Sequence, residues 1–324
     1  MTSSSATESL GDFGGGQARF DGRVAVITGA GRGLGRAYAL LLAAKGAKVV
    51  VNDPGVGPDG TNFDNGPADD VVREIQAAGG AAVACTESVA TADGGRAIVD
   101  TAIEHFGRID ILVHNAGINR YGLLPDMTHE DFDAVLDVHL RGAFHVVRPA
   151  FPLMAAAGYG RIVLTSSILG FYGNHRVANY AASKGGIIGL AGVVAVEGAD
   201  HGVKCNVIVP AALTRLAAAL DTSAYPPMGP ELAAPVVGWL AHESCSVNGE
   251  TLISIAGRVA KAYVAETRGV YRPEWSIDSV GEQIDEICDT TDPWVLPSVS
   301  GYGEHLKRSF AIAREGSKHV SQSI

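Results

Sequence analysis

Cysteine is scarce: the 324-residue chain holds four, Cys85, Cys205, Cys245 and Cys288. None belongs to a Cys-x-x-Cys pair, and no Cys/His spacing matches a zinc site. A disulfide framework and a structural metal are therefore not what organises the chain. Basic residues are also in deficit, 25 against 35 acidic, which leaves a formal net charge of −10. No local basic cluster offsets this, so there is no general electrostatic pull toward nucleic acid or anionic lipid. No apolar run reaches the length of a membrane span. The N-terminal MTSSSATESLGDFGGGQARF lacks the apolar core and early basic cluster of a secretory signal, and the C-terminal SQSI is not a peroxisomal address. The expectation is a cytoplasmic chain with reduced thiols that partners neither nucleic acid nor a membrane.

What the chain does have is a large apolar fraction, 47%, with 41 glycines. That combination fits tight turns around a packed core rather than disorder. Residues 1–19 are Ser/Gly-rich and are expected to be disordered. Apolar, β-branched runs then recur at 23–30, 47–53, 81–88, 109–117, 160–167, 204–210 and 250–257, separated by helical periodicity at 34–46, 68–78, up to 106, 129–150, 177–199 and 234–242. The runs are apolar on both faces, as parallel strands covered on both sides must be. The fold class is α/β: a Rossmann-type doubly wound parallel sheet of about seven strands flanked by helices on both faces, in one domain over 20–257. Residues 258–324 read as an extension packed on that domain.

TGAGRGLG (28–35) joins the first strand to the first helix. Gly29, Gly33 and Gly35 permit a sharp turn there. With Gly31, Arg32 and Leu34 they present backbone N–H groups to a pyrophosphate at a helix N-terminus. Asp53 ends the second strand, where a carboxylate accepts the ribose hydroxyls of NAD and repels a 2′-phosphate. Capping of a turn beside Pro54 is the alternative reading of Asp53. Arg32 pulls toward NADP, but the carboxylate stands on the discriminating hydroxyl, which favours NAD. Glu87 and Ser88 end the third strand, beside the expected adenine, and Asn115, Ala116 and Gly117 end the fourth, along the cofactor.

Ser167 ends the fifth strand, where doubly wound sheets bind ligands. Tyr180 and Lys184 follow at i and i+4 on one helix face. A free phenol is a poor base at neutral pH, and a neighbouring ammonium favours its phenolate. Tyr180 can then take the proton of a substrate alcohol while Ser167 orients the same oxygen. Lys184 can also hold the nicotinamide ribose. Tyr172 and Asn174 lie between Ser167 and Tyr180 and are candidate substrate contacts, with ordinary loop packing as the alternative.

As a set, TGAGRGLG, NAG, Ser167 and YAASK resemble the short-chain dehydrogenase/reductase family over about 22–257. Segments such as VVVND (49–53), VHLRGAF (138–144), GFYGN (170–174) and HESCSVNG (242–249) are most similar to the branch containing the (3R)-hydroxyacyl-CoA dehydrogenase unit of peroxisomal multifunctional enzymes and its bacterial relatives. The resemblance implies NAD-dependent oxidation of a 3-hydroxyacyl-CoA or a steroid alcohol, in a homodimer or homotetramer. It also implies a catalytic place for His139, where most of the family has asparagine; local hydrogen bonding of a partly buried ring is the alternative. His114 replaces the first asparagine of the family's NNAG. Pro210, Ala211, Leu213 and Thr214 fall on the nicotinamide side, in PAALTRL, where the usual Pro-Gly is missing. Two other functions stay open: an NADPH-dependent carbonyl reductase, motivated by Arg32, and a dinucleotide-binding sensor without turnover, motivated by the altered loop.

Overall fold

The computed structural model describes residues 18–61, 64, 66–213 and 225–321. The expected disorder of 1–19 falls, apart from its last two residues, outside them, as does Thr214. Eight strands form one sheet: β1 (Val24–Thr28), β2 (Lys48–Asn52), β3 (Ala81–Cys85), β4 (Ile111–His114), β5 (Gly160–Thr165), β6 (Val203–Ala211), β7 (Thr251–Ile255) and β8 (Arg258–Ala262). Their order is β3-β2-β1-β4-β5-β6-β7-β8. The first seven are parallel, with Thr28 opposite both Asn52 and His114. β8 runs antiparallel to β7. The extension thus begins by adding an edge strand to the sheet, a strand that the seven apolar runs did not announce because its residues alternate Arg258, Ala260 and Lys261 with little burial.

Two cores sandwich the sheet. On one face, α1 (Gly33–Ala44), α2 (Pro67–Ala77) and α7 (Ala234–Ala241) pack Leu42, Ile75 and Val237 against Ile27, Val49 and Ile111. On the other, α3 (Ala92–Phe106), α5 (Gly142–Ala156) and α6 (Ala178–Gly198) pack Ile98, Val146 and Ile187 against Val26, Leu112 and Ile162. The helix expected over 129–150 is longer and interrupted: α4 (His129–Leu136) passes through a π-turn, Asp137–Arg141, into α5. Its first turn is capped by Thr128, which accepts from the Asp131 amide. Pro149 and Pro152 sit inside α5. Pro149 has no N–H for the His145 carbonyl, and that carbonyl is packed against Gly95 of α3, where a Cβ would collide with it.

The segment Ala178–His201 is long and apolar enough, by length and composition, to cross a membrane. Here it carries buried Asn179, Ser183 and Lys184 and lies in the second core. The extension continues through a two-stranded pair, β9 (Ala265–Glu266) and β10 (Trp294–Val295), with short helices α8 (Ile277–Glu282) and α9 (Ile284–Ile287) between them and α10 (Gly301–Ser321) after them.

Candidate active site

β1 runs straight into the glycine turn, with Gly29 and Gly33 at positive φ. A Cβ on Gly35 would collide with the Gly29 carbonyl and the Asn115 amide group, so the turn closes only around glycine. No side chain among the described residues caps α1 at Arg32, so the first-turn N–H groups of that helix lack a side-chain acceptor there. They open on a cavity of about 430 Å³ lined by Gly29, Arg32, Gly33, Leu34, Asp53 and Ser88, among others, and by Asn115, Ala116 and Gly117. An uncapped helix start, a bare glycine turn and a carboxylate beside that turn fit a dinucleotide. Gly31 and Gly35 stand behind the lining. The Glu87 side chain is not part of it; its carbonyl instead accepts from the Asn52 side chain at 2.8 Å.

Asp53 does two jobs. Its Oδ2 accepts from the Gly31 amide at 3.0 Å and its Oδ1 from the Gly55 amide at 2.8 Å. The turn-capping reading therefore holds, and the same carboxylate also faces the cavity. The Arg32 guanidinium is ion-paired with Asp64. Pro54, Val56, Gly57, Pro58 and Gly60, early in the loop after β2, form a strap along the cavity wall. The Pro58 carbonyl accepts from the Asn119 amide at 2.8 Å, and the Asp59 carbonyl from Arg120 Nε at 3.1 Å.

Ser167, Tyr180 and Lys184 come together at the carboxyl end of β5. The Ser167 side chain lies near enough to the Tyr180 phenol to lower its pKa. Lys184 Nζ lies 5.5 Å from the centre of the Tyr180 ring. It donates to the Thr165 carbonyl at 2.7 Å. The expected electrostatics need correction. Burial pushes the Tyr180 phenol above its ordinary value, and the Ser167 side chain works against that shift without overcoming it. Burial also brings Lys184 down from 10.5 to about 7. In the protein alone, desolvation penalises both charged forms more than the pair compensates.

His139 is buried, with its ring edge-on to Tyr180 at 5.2 Å between centroids. Its Nε2 meets the Ile118 carbonyl at 2.8 Å, and its Nδ1 has no partner among the described residues. Local bonding and contact with Tyr180 therefore coexist. Gly117 makes the room, since a Cβ there would collide with the imidazole. His114 completes a rigid relay. Thr28 Oγ1 accepts from the Asn115 and Ala116 amides at 3.1 and 3.2 Å, which leaves its proton for His114 Nδ1 at 3.0 Å. His114 Nε2–H then donates to the His139 carbonyl at 3.0 Å, fixing the tautomer and holding the π-turn. Burial is the main reason both imidazoles stay neutral, His114 falling to about 3 and His139 well below its ordinary value; the Lys184 charge adds to it.

Among the described residues no hydrogen bond or ring contact joins Tyr172 or Asn174 to Ser167, although the Tyr172 amide donates to the carbonyl of the adjacent Ile168 at 3.0 Å. Tyr172 is 69% exposed beside Phe171, and Asn174 Oδ1 accepts from the next amide. Pro210 and Ala211 end β6 and Leu213 follows it, and none of the three lines the cavity; the Leu213 amide donates to the Met228 carbonyl at 2.7 Å. The Thr28–His114–His139 relay escaped the sequence reading, because Thr28 and His139 lie on different elements and only the strand register and the π-turn bring them to His114. Tyr121 escaped it too.

The short chain dehydrogenase family model matches residues 23–223. The chain belongs to the short-chain dehydrogenase family. It is an oxidoreductase with the family's Rossmann-type sheet and nicotinamide dinucleotide chemistry. Among relatives, it is 50% identical over 260 residues to the peroxisomal multifunctional enzyme type 2 of Drosophila melanogaster, covering 80% of this chain and 43% of that protein. It is 42% identical over 269 residues to a short-chain type dehydrogenase/reductase of Mycobacterium tuberculosis, covering 82% of this chain and 94% of that one. The structure of the full-length Drosophila enzyme superposes with a TM-score of 0.75 at 40% identity, covering 90% of this chain and 50% of that chain. The chain thus spans about a third to two thirds of the length of the multifunctional relatives it matches.

Proposed function

We propose that this short-chain dehydrogenase uses NAD to oxidise the hydroxyl of a 3-hydroxyacyl-CoA, with a fatty or steroid side-chain acyl group, to the 3-oxoacyl-CoA. The observation that carries the reading is the meeting of Ser167, Tyr180 and buried Lys184, joined through the His139 ring to Gly117 in the wall of the cavity that the glycine turn and Asp53 also line. The names of the multifunctional relatives support the substrate class. Bound NAD supplies the hydride acceptor. Ser167 orients the substrate oxygen and Tyr180 takes its proton. The step needs Tyr180 as its phenolate, which accepts the alcohol proton and ends as the neutral phenol that burial favours, and a charged Lys184, its Nζ 5.5 Å from the ring centre, favours that phenolate. Asp53 supports NAD over NADP, and Arg32, already ion-paired with Asp64, offers a 2′-phosphate less than a free cation would.

The alternative, an NADPH-dependent reductase of oxoacyl or steroid ketones, keeps the same residues and rests on Arg32 lining the cavity. A homo-oligomer is supported by the exposed apolar side chains Phe144 and Leu153 on α5 and Val193 and Val196 on α6. A panel of 3-hydroxyacyl-CoAs and steroid alcohols, each assayed with both coenzymes, tests the reading. The highest kcat/KM is expected for a 3-hydroxyacyl-CoA with NAD. Faster turnover with NADP, or of steroid alcohols alone, overturns it.

A further inference from the structure

The loop that follows β4 carries an exposed phenol, Tyr121, on a backbone held tightly on both sides. Ahead of it, the Arg120 carbonyl accepts from Asn179 Nδ2 at 2.9 Å, and Asn179 is the residue before Tyr180. Behind it, the Gly122 amide donates to the Arg176 carbonyl at 3.1 Å, and Gly122 pairs with Val177 in an isolated parallel bridge. The Arg120 side chain is anchored as well, Nη1 to Asp131 Oδ1 and Nε to the Asp59 carbonyl, each at 3.1 Å. Tyr121 is thus fixed to the segment that delivers Tyr180, although its side chain is 53% exposed.

Its hydroxyl is oriented too. Asn119 Nδ2 donates to Tyr121 Oη at 2.9 Å. That bond fills an acceptor position on the oxygen and leaves the phenolic proton with no acceptor among the described residues. Ionisation of Tyr121 would push the Tyr180 phenol up, so the two hydroxyls lie within electrostatic reach of each other. A phenol turned outward as a donor, rigidly held beside the catalytic one, is a recognition group awaiting an oxygen. Around the same edge stand the exposed apolar side chains Leu123, Leu124 and Ile168, a surface suited to a hydrocarbon chain.

We propose that Tyr121 is a substrate-reading residue that donates its hydrogen bond to a second substrate oxygen, the thioester carbonyl one carbon removed from the carbinol, with Asn119 as the positioning residue that aims it. The assignment rests on the acyl-CoA reading above and adds the group that separates a 3-hydroxyacyl thioester from a plain secondary alcohol. A substrate with both oxygens engages two donors. An alcohol lacking the carbonyl leaves Tyr121 unpaired and gains only the Ser167–Tyr180 contact.

The test compares a 3-hydroxyacyl-CoA with its thioether counterpart, S-(3-hydroxyalkyl)-CoA, which lacks only the carbonyl oxygen, using NAD and the full chain. The readout is the ratio of the two kcat/KM values in the wild type, Tyr121→Phe and Asn119→Ala. Phenylalanine keeps the ring and removes the hydroxyl, and with it both the outward donor and the bond accepted from Asn119, and NAD binding by each variant confirms that it is folded. The expected result is a wild-type preference for the thioester that Tyr121→Phe lowers about tenfold, the loss of one hydrogen bond. Asn119→Ala is expected to lower it in the same direction and by less. A ratio unchanged in Tyr121→Phe overturns the assignment of Tyr121 while leaving the acyl-CoA reading intact. No wild-type turnover of the thioester, with turnover of other alcohols retained, overturns the acyl-CoA reading and this inference together.

Discussion

At Lys184, burial and chemistry pull in opposite directions. The ammonium is buried with one described acceptor, the Thr165 carbonyl, and its pKa falls from 10.5 to about 7. Between those values the unfolded chain holds a proton that the native lysine does not, so this residue makes stability rise with pH across that window and costs the native state most at and below pH 7. Lys184→Met should therefore lose most of its activity yet gain in Tm, with a larger gain over wild type at pH 7 than at pH 10; a gain independent of pH would contradict this. His114 works in the acid range. Its folded pKa of about 3 lies below the ordinary 6.5, so the unfolded chain takes up the proton first and native stability is lost as pH falls below 6.5. His114→Asn should shallow the acid limb of urea-derived stability by about 1.4 kcal/mol per pH unit between pH 6 and 4.

At the scale of elements, the π-turn and the end of β4 are fitted to each other. Gly117 leaves the space that the His139 ring fills, and His114 holds the His139 carbonyl. Gly117→Ala should cost about 1–3 kcal/mol, and His139→Ala in the same chain should recover part of that in denaturant melts, because it removes the atoms the new methyl meets. Additive losses would contradict the fit. The strands and helices themselves were legible as apolar runs and glycine stops, and so were the glycine turn, Asp53 and the Ser167–Tyr180–Lys184 set, since each depends on local spacing. The π-turn was not, because its residues keep ordinary helical periodicity from 129 to 156. The strap after β2 read only as a Gly/Pro-rich loop; its hydrogen bonds to 119–120 are set by tertiary packing. Tyr121 carried no signal because its neighbours in space, Arg176 and Asn179, are more than fifty positions away.

For the whole molecule, the boundary near 257 cuts through the sheet, since β8 pairs along the full length of β7. Ending the chain after Gly257 would bare the β7 edge and its unpaired backbone groups. Such a truncation is expected to melt at lower temperature and to associate on size-exclusion chromatography. An unchanged Tm and elution volume would show that the extension does not support the sheet. The two-core sandwich also explains why so apolar a helix as α6 carries Tyr180 and Lys184. One face is buried against the sheet, which desolvates the lysine, while the phenol reaches the carboxyl edge where Ser167 stands.

The most direct test of the catalytic assignment is the rate of NADH formation from a 3-hydroxyacyl-CoA by the wild type and by Tyr180→Phe, with NAD binding measured on both. A loss of about 10²–10⁴-fold in kcat with NAD affinity retained is predicted for removing the proton acceptor. A Tyr180→Phe enzyme that keeps most of its rate would contradict the account.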